Sequence, residues 1–212
     1  GIVPLNGILE VKHFKSIIFM WHLLPSLVLL IIITIKAMLN NKKTLLTGPM
    51  ASGKTTFLKY IAKEEENIPD GPSGTIKHYK VKNGKLNEVT DFSGAEEWLT
   101  NFDQIIKEHD YILFFFDVSL YIKDIKYREH SNARISFIHK NSNSSQVIVI
   151  VGTHIDKLSG NYKAKVESYF AGKPYRSLLK RMAYINTTKK ECVKKIYDEL
   201  KKQNNENKLD SY

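Results

Sequence analysis

Eight residues constrain the fold of this chain more than any other part of it. Gly48-Pro49-Met50-Ala51-Ser52-Gly53-Lys54-Thr55 fits G-x-x-x-x-G-K-[ST] in full. A short apolar run ending in glycine, KKTLLTG, precedes the match, and KTTFLKYIAKEEE, which has helical character, follows it. Strand, glycine loop and helix in that order form the setting in which this spacing cradles phosphate. Glycines and small residues let backbone N–H groups curl around phosphate oxygens, and the following helix aims its positive end at them. Lys54 reaches the outer phosphates, the Thr55 hydroxyl can ligate Mg²⁺, and Thr56 extends the candidate contacts into the helix.

The rest of the chain reads as strands alternating with helices. TIKHYKV and KLNEVTDF flank Asn83-Gly84, a dipeptide that favours a tight hairpin turn. AEEWLTNFDQIIKEH looks helical. YILFFFDVS and QVIVIVGTHID are nearly continuous apolar runs, as strands buried on both faces should be. Residues 120–140 read as helix, YKAKVESYFAG as a further helix, and MAYIN as a last short strand. In KKECVKKIYDELKKQ, Val193, Ile196 and Leu200 share one helical stripe, and Cys192 reads as a small buried residue. Residues 203–212 read as a polar, frayed tail. The expectation is an α/β fold: a mostly parallel six-stranded sheet, helices on both faces, and ligands at the strands' C-terminal edge.

Upstream lies the greasiest stretch, IIFMWHLLPSLVLLIIITI at 17–35, without one charged residue. As a helix it is about 28 Å long, close to the hydrocarbon thickness of about 30 Å. Lys12 and Lys15 flank one end, Lys36, Lys42 and Lys43 the other, and Trp21 suits an interface. Pro25 is placed to kink the helix, and His22 near its end suits headgroups or a partner. A cleaved signal peptide fits poorly because KAMLNNKK offers no small-residue cleavage site. A buried core helix would show a polar face, and this segment has none. Residues 16–36 are therefore expected to be a transmembrane anchor after a short N-terminal segment, 1–15. The chain opens on Gly1, not methionine, which reads as a processed or engineered end.

Bulk properties exclude other classes. Composition is 42% hydrophobic and 25% charged, which argues against disorder. The net charge of +10 comes from lysines spread along the chain, which suits an anionic lipid surface better than nucleic acid, and no nucleic-acid partner is expected. One cysteine rules out an intrachain disulfide, and seven scattered histidines form no zinc-like pattern.

Three weaker motifs fall at strand ends. In Asp91-Phe92-Ser93-Gly94 the carboxylate of Asp91 can hold Mg²⁺, directly or through water, and the Gly94 N–H can touch a terminal phosphate. In Thr153-His154-Ile155-Asp156 the aspartate can accept two hydrogen bonds from guanine, a pair that adenine cannot supply. In Asn186-Thr187-Thr188-Lys189 backbone N–H groups can hold the base carbonyl, although a helix N-cap reads equally well there.

In this order the four motifs make the chain resemble a small GTP-binding protein of the Ras and Arf kind over residues 43–202. The resemblance implies a P-loop G domain using GTP or GDP and Mg²⁺. Gly48–Thr55 matches the phosphate loop and Asp91–Gly94 the second switch. Thr153, His154 and Asp156 stand where the family has Asn-Lys-x-Asp, and Thr187, Thr188 and Lys189 where it has Ser-Ala-Lys. Thr75 falls where the first switch offers a threonine to Mg²⁺, with Ser73 competing. Within the family, DFSGAEEW and VGTHID look most like the Roc domains of Roco proteins. An anchor ahead of such a domain is similar in arrangement to the beta subunit of the signal recognition particle receptor.

The departures bear on turnover. Ala95 stands where active relatives often carry a water-orienting glutamine, Met50 replaces a small glycine, and His154 replaces a lysine. Glu96 or Glu97 can be considered as substitutes for the glutamine, and Arg128 or Arg134 as arginines acting in cis, though surface arginines usually do not. Binding with slow intrinsic hydrolysis is the expectation. The leading reading is a single-pass membrane GTPase switch, its G domain facing the cytoplasm and meeting a protein partner at its switch surface. A GTP-binding subunit with little or no turnover and, third, an ATP-using P-loop enzyme are the alternatives.

Overall fold

The computed structural model describes residues 42–62, 68, 76–81, 88–92 and 101–209, with side chains to 203. The anchor expected at 16–36 lies outside these residues. Among the described residues no helix is long and apolar enough to cross a membrane.

Six strands form one sheet: β1 (Lys43–Thr47), β2 (Lys77–Lys80), β3 (Glu88–Asp91), β4 (Tyr111–Asp117), β5 (Val147–Thr153) and β6 (Met182–Tyr184). Their order across the sheet is β2-β3-β1-β4-β5-β6. β2 pairs antiparallel with β3, as the expected hairpin requires, and every other pairing is parallel. The chain leaves β1 with β3 on one side and β4 on the other, so β1 is the switch point at which an open α/β sheet forms its ligand crevice.

Strand alternation builds two cores. Ile112, Phe114 and Phe116 of β4 enter one cluster, with Ile148 and Ile150 of β5. Leu113 and Phe115 enter the other, with Val149 and Val151. All seven residues of β4 and all seven of β5 are buried, which explains their uninterrupted apolar runs. Each of their Val, Leu, Ile and Phe side chains contributes about 1.5–3 kcal/mol by leaving water. Helices α1 (Lys54–Ile61) and α6 (Glu191–Leu209) cover the Phe115 face, where the Phe57 and Phe115 rings lie 5.3 Å apart. Helices α2 (Phe102–Lys107), α3 (Val118–Lys123), α4 (Ile125–Asn141) and α5 (Tyr162–Phe170) supply the Phe116 face. There Phe116 meets Tyr121 edge-on at 5.0 Å.

Local chemistry explains where the elements differ from expectation. The helix expected over 120–140 is two, because Asp124 adopts an extended conformation and its carboxylate accepts from Tyr127 N–H at 3.1 Å, restarting the helix. A 3-10 helix at Arg176–Arg181 was not signalled by any periodic pattern. α1 stops at Ile61, since Ala62 turns extended and bridges to Val81. α6 runs on to Leu209 through the stretch expected to be frayed. Glu199 and Gln203 meet side chain to side chain at 2.7 Å on its last described turns, one helical turn apart. Of the expected stripe on α6, Ile196 and Leu200 are buried and Val193 is partly buried against the same cluster, and Cys192 is buried as expected.

Candidate nucleotide-binding site

Parallel register brings the motifs to one edge. Leu46 pairs with Asp91, Thr47 with Phe114, Asp117 with Thr153, and Gly152 with Tyr184, so the C-terminal ends of β1, β3, β4, β5 and β6 lie side by side.

The loop from Gly48 to Gly53 leaves β1 at this edge. Gly48 has φ +142°, and a Cβ there would fall inside the carbonyl of Phe115. Only glycine lets the loop cross the end of β4 so closely. Gly48→Ala is accordingly expected to destabilise the fold by about 2–4 kcal/mol, read as a lowered urea midpoint. An unchanged midpoint would show that the loop can lift off β4. Ala51 (φ 58°) and Gly53 (φ 84°) are also left-handed, which curls the loop before α1 begins. The first turn of α1 carries no acidic residue to oppose an anion at its positive end.

Lys54 folds over this loop. Its Nζ donates to Gly48 O (2.8 Å), Pro49 O (2.9 Å) and Ser52 Oγ (3.2 Å). Burial pushes its pKa down to about 8, Asp91 opposes that shift, and Arg134 adds to it. Thr55 is half-buried, Thr56 and Met50 are exposed, and Asp91 is buried at the end of β3. Among the described residues no group of three or more His, Cys, Asp or Glu can hold a metal ion. One carboxylate and one hydroxyl suit Mg²⁺, which is usually bound by one or two carboxylates together with substrate phosphates. Thr75, Ser73, Gly94, Ala95, Glu96 and Glu97 lie outside the described residues.

The segments expected to meet the base close on the same loop. Thr153 Oγ1 lies 3.0 Å from both Ser52 O and Phe116 O, tying the end of β5 to the phosphate loop and to β4. A Cβ on Gly53 would meet Thr187 Cγ2 at 3.1 Å and Thr153 Cγ2 at 3.4 Å, so both threonines pack against that glycine. His154 is left-handed (φ 56°) and opens a 3-10 turn, Ile155–Lys157, on which Asp156 is exposed. Thr187 is buried, while Thr188 and Lys189 are exposed. Asn186 Oδ1 accepts from Thr188 N (2.9 Å) and Oγ1 (2.7 Å), which makes this segment a side-chain-held turn ahead of α6.

Neither arginine considered for a cis role is a free surface cation. Arg128 donates to Tyr121 O at 3.0 Å and lies 4.1 Å over the Tyr169 ring, bracing α3, α4 and α5. Arg134 is 1% exposed. Asp117 belongs to none of the four sequence motifs. An aspartate ending an apolar run just before Val-Ser is an N-cap signal that could have singled out Asp117.

The fold is that of P-loop GTP-binding proteins. No protein-family model matches the chain, and no curated protein sequence does. Among solved structures it is similar to a bacterial selenocysteine-specific elongation factor, EF-Sec, with TM-score 0.55 and 17% identity, covering 81% of this chain and 29% of that one. It is also similar to a probable GTP-binding protein, engB, with TM-score 0.57 and 12% identity, covering 77% of this chain and 99% of that one. The chain thus spans less than a third of the elongation factor's length.

Proposed function

We propose that this chain binds a guanine nucleotide with Mg²⁺ and acts as a GTPase switch at a membrane. The observation that carries the nucleotide reading is the Thr153 hydroxyl on Ser52 O, which fastens the segment bearing Asp156 to the phosphate loop. One of the two solved structures named above is described as a probable GTP-binding protein, in keeping with that reading. The loop N–H groups and Lys54 would hold phosphates, and Thr55 and Asp91 would hold Mg²⁺, which when bound neutralises phosphate charge. Asp156, Thr187, Thr188 and Lys189 would surround the base.

Ala95 favours slow intrinsic hydrolysis, since a methyl group cannot orient water. A GTP-loaded subunit without turnover is the second reading on the same ground. Titrating GTP against ATP with Mg²⁺ on purified protein, with phosphate release followed in the same samples, decides the matter. GTP preference with release supports the switch, GTP preference without release supports the loaded subunit, and ATP preference overturns both.

The membrane part of the proposal rests on the uncharged 17–35 segment and its lysine flanks. The Roc-like motifs and the anchored arrangement suggest a protein partner that reads the switches at that surface. On flotation with liposomes, the whole chain is expected to rise with the lipid after an alkaline wash, and a chain beginning at Lys42 to stay at the bottom. Equal behaviour of the two would remove the anchor.

A further inference from the structure

We propose that Asp117 is a positioning residue for base recognition, holding the His154 ring and through it the left-handed turn that presents Asp156. The inference rests on the guanine reading above and adds to it a residue that touches no nucleotide.

The two carboxylate oxygens of Asp117 do different work. Oδ1 caps α3, accepting from Ser119 N (2.7 Å), Ser119 Oγ (2.7 Å) and Leu120 N (3.1 Å). Oδ2 is left to face His154 Nδ1 at 3.3 Å. The whole carboxylate is buried, and the Asp117 backbone N–H donates to Tyr127 Oη at 2.8 Å, which fixes the residue from a third side.

His154 Nδ1 also lies 2.8 Å from Thr153 Oγ1. That hydroxyl has one proton, and its two other neighbours, Ser52 O and Phe116 O, can only accept. Toward the ring the hydroxyl therefore accepts. Both oxygens facing Nδ1 are acceptors, so Nδ1 carries the proton and donates it to Thr153 Oγ1, with the Asp117 carboxylate 3.3 Å away on its other side. The ring is thereby locked to the ends of β4 and β5, on the residue whose backbone is left-handed. A non-glycine residue in that region is uncommon and costs about 1 kcal/mol or more. The Thr153 bond and the facing Asp117 carboxylate offset that cost and hold the turn whose next residues are Ile155 and Asp156.

Asp117→Asn separates the two roles, because the amide oxygen can still cap α3 while the amide N–H₂ opposes Nδ1–H. Guanine and hypoxanthine differ only in the 2-amino group, one of the two donors that Asp156 would accept. Displacement of fluorescent GDP by GDP or by IDP therefore reads the placement of Asp156 separately from phosphate binding. In the full chain, Asp117→Asn is expected to lower the preference for GDP over IDP by about fivefold. In a His154→Ala background it is expected to lower the preference no further. Equal losses for both nucleotides, an unchanged preference, or additive effects would each overturn the proposal. A wild type that does not prefer GDP to IDP overturns the guanine reading, and this inference with it. Nitrogen-15 NMR of the wild type tests the arrangement without any variant: a protonated Nδ1 on His154 is expected, and a neutral ring protonated only on Nε2 would overturn it.

Discussion

Lys54→Met is expected to abolish nucleotide binding while leaving the fold intact. The ammonium group is the cation nearest the loop carbonyls, and losing its charge-assisted bonds to phosphate should weaken binding by about 100-fold or more. Fluorescent-nucleotide titration measures this, and retention of tight binding would remove Lys54 from the site. The empty protein carries a second signature. The folded pKa is depressed to about 8, below the unfolded value of 10.5, with burial the main cause. Below both values the folded state carries a buried charge whose cost is constant. Between them the unfolded state still holds a proton that the folded state has released, so stability rises with pH. Relative to Lys54→Met, the wild type should gain roughly 3 kcal/mol between pH 7.5 and 10.5. Urea unfolding at several pH values measures the difference. A flat difference would show that Lys54 is solvated in the nucleotide-free protein.

Asp156→Asn is expected to exchange guanine for xanthine. The carboxylate can accept from both donors on one edge of guanine. The asparagine amide keeps one acceptor and sets its N–H₂ against the 2-amino group. Losing one charge-assisted bond and opposing two donors should weaken GDP by about 100-fold. Xanthine carries a carbonyl at that position, so the same amide suits it and XDP should gain affinity. Asp156 is exposed, so the melting temperature should change little. Unchanged preference among GDP, XDP and ADP would mean that Asp156 does not meet the base.

Much of this was legible in the chain because it is local. The apolar runs of β4 and β5 announced strands buried on both faces, and the Gly48–Thr55 spacing announced a tight glycine loop between a strand and a helix. Asn83-Gly84 announced a hairpin whose two strands do pair. What was not legible depends on partners distant in sequence. Arg134 reads as a surface cation on a polar helix, yet it is buried, and its charge acts on Lys54. Asp117 reads as the end of a strand, and only the pairing of β4 with β5 brings it to His154. The break at Asp124 was missed for another reason: a capping aspartate inside a run of otherwise helical residues has no periodicity to disturb.

The Thr153 hydroxyl on Ser52 O, with Gly53 packed against two threonines, also has a thermodynamic meaning. For a bound nucleotide it would make the Gly48–Gly53 loop and the Ile155–Lys157 turn a single rigid chelator. A nucleoside and a pyrophosphate offered separately each give up their own freedom of motion on binding. Joined in one nucleotide they give it up once, and the second contact forms at the high effective concentration set by the first. On the proposed nucleotide reading, the Thr153 hydroxyl would raise affinity by keeping two half-sites at the spacing of one molecule.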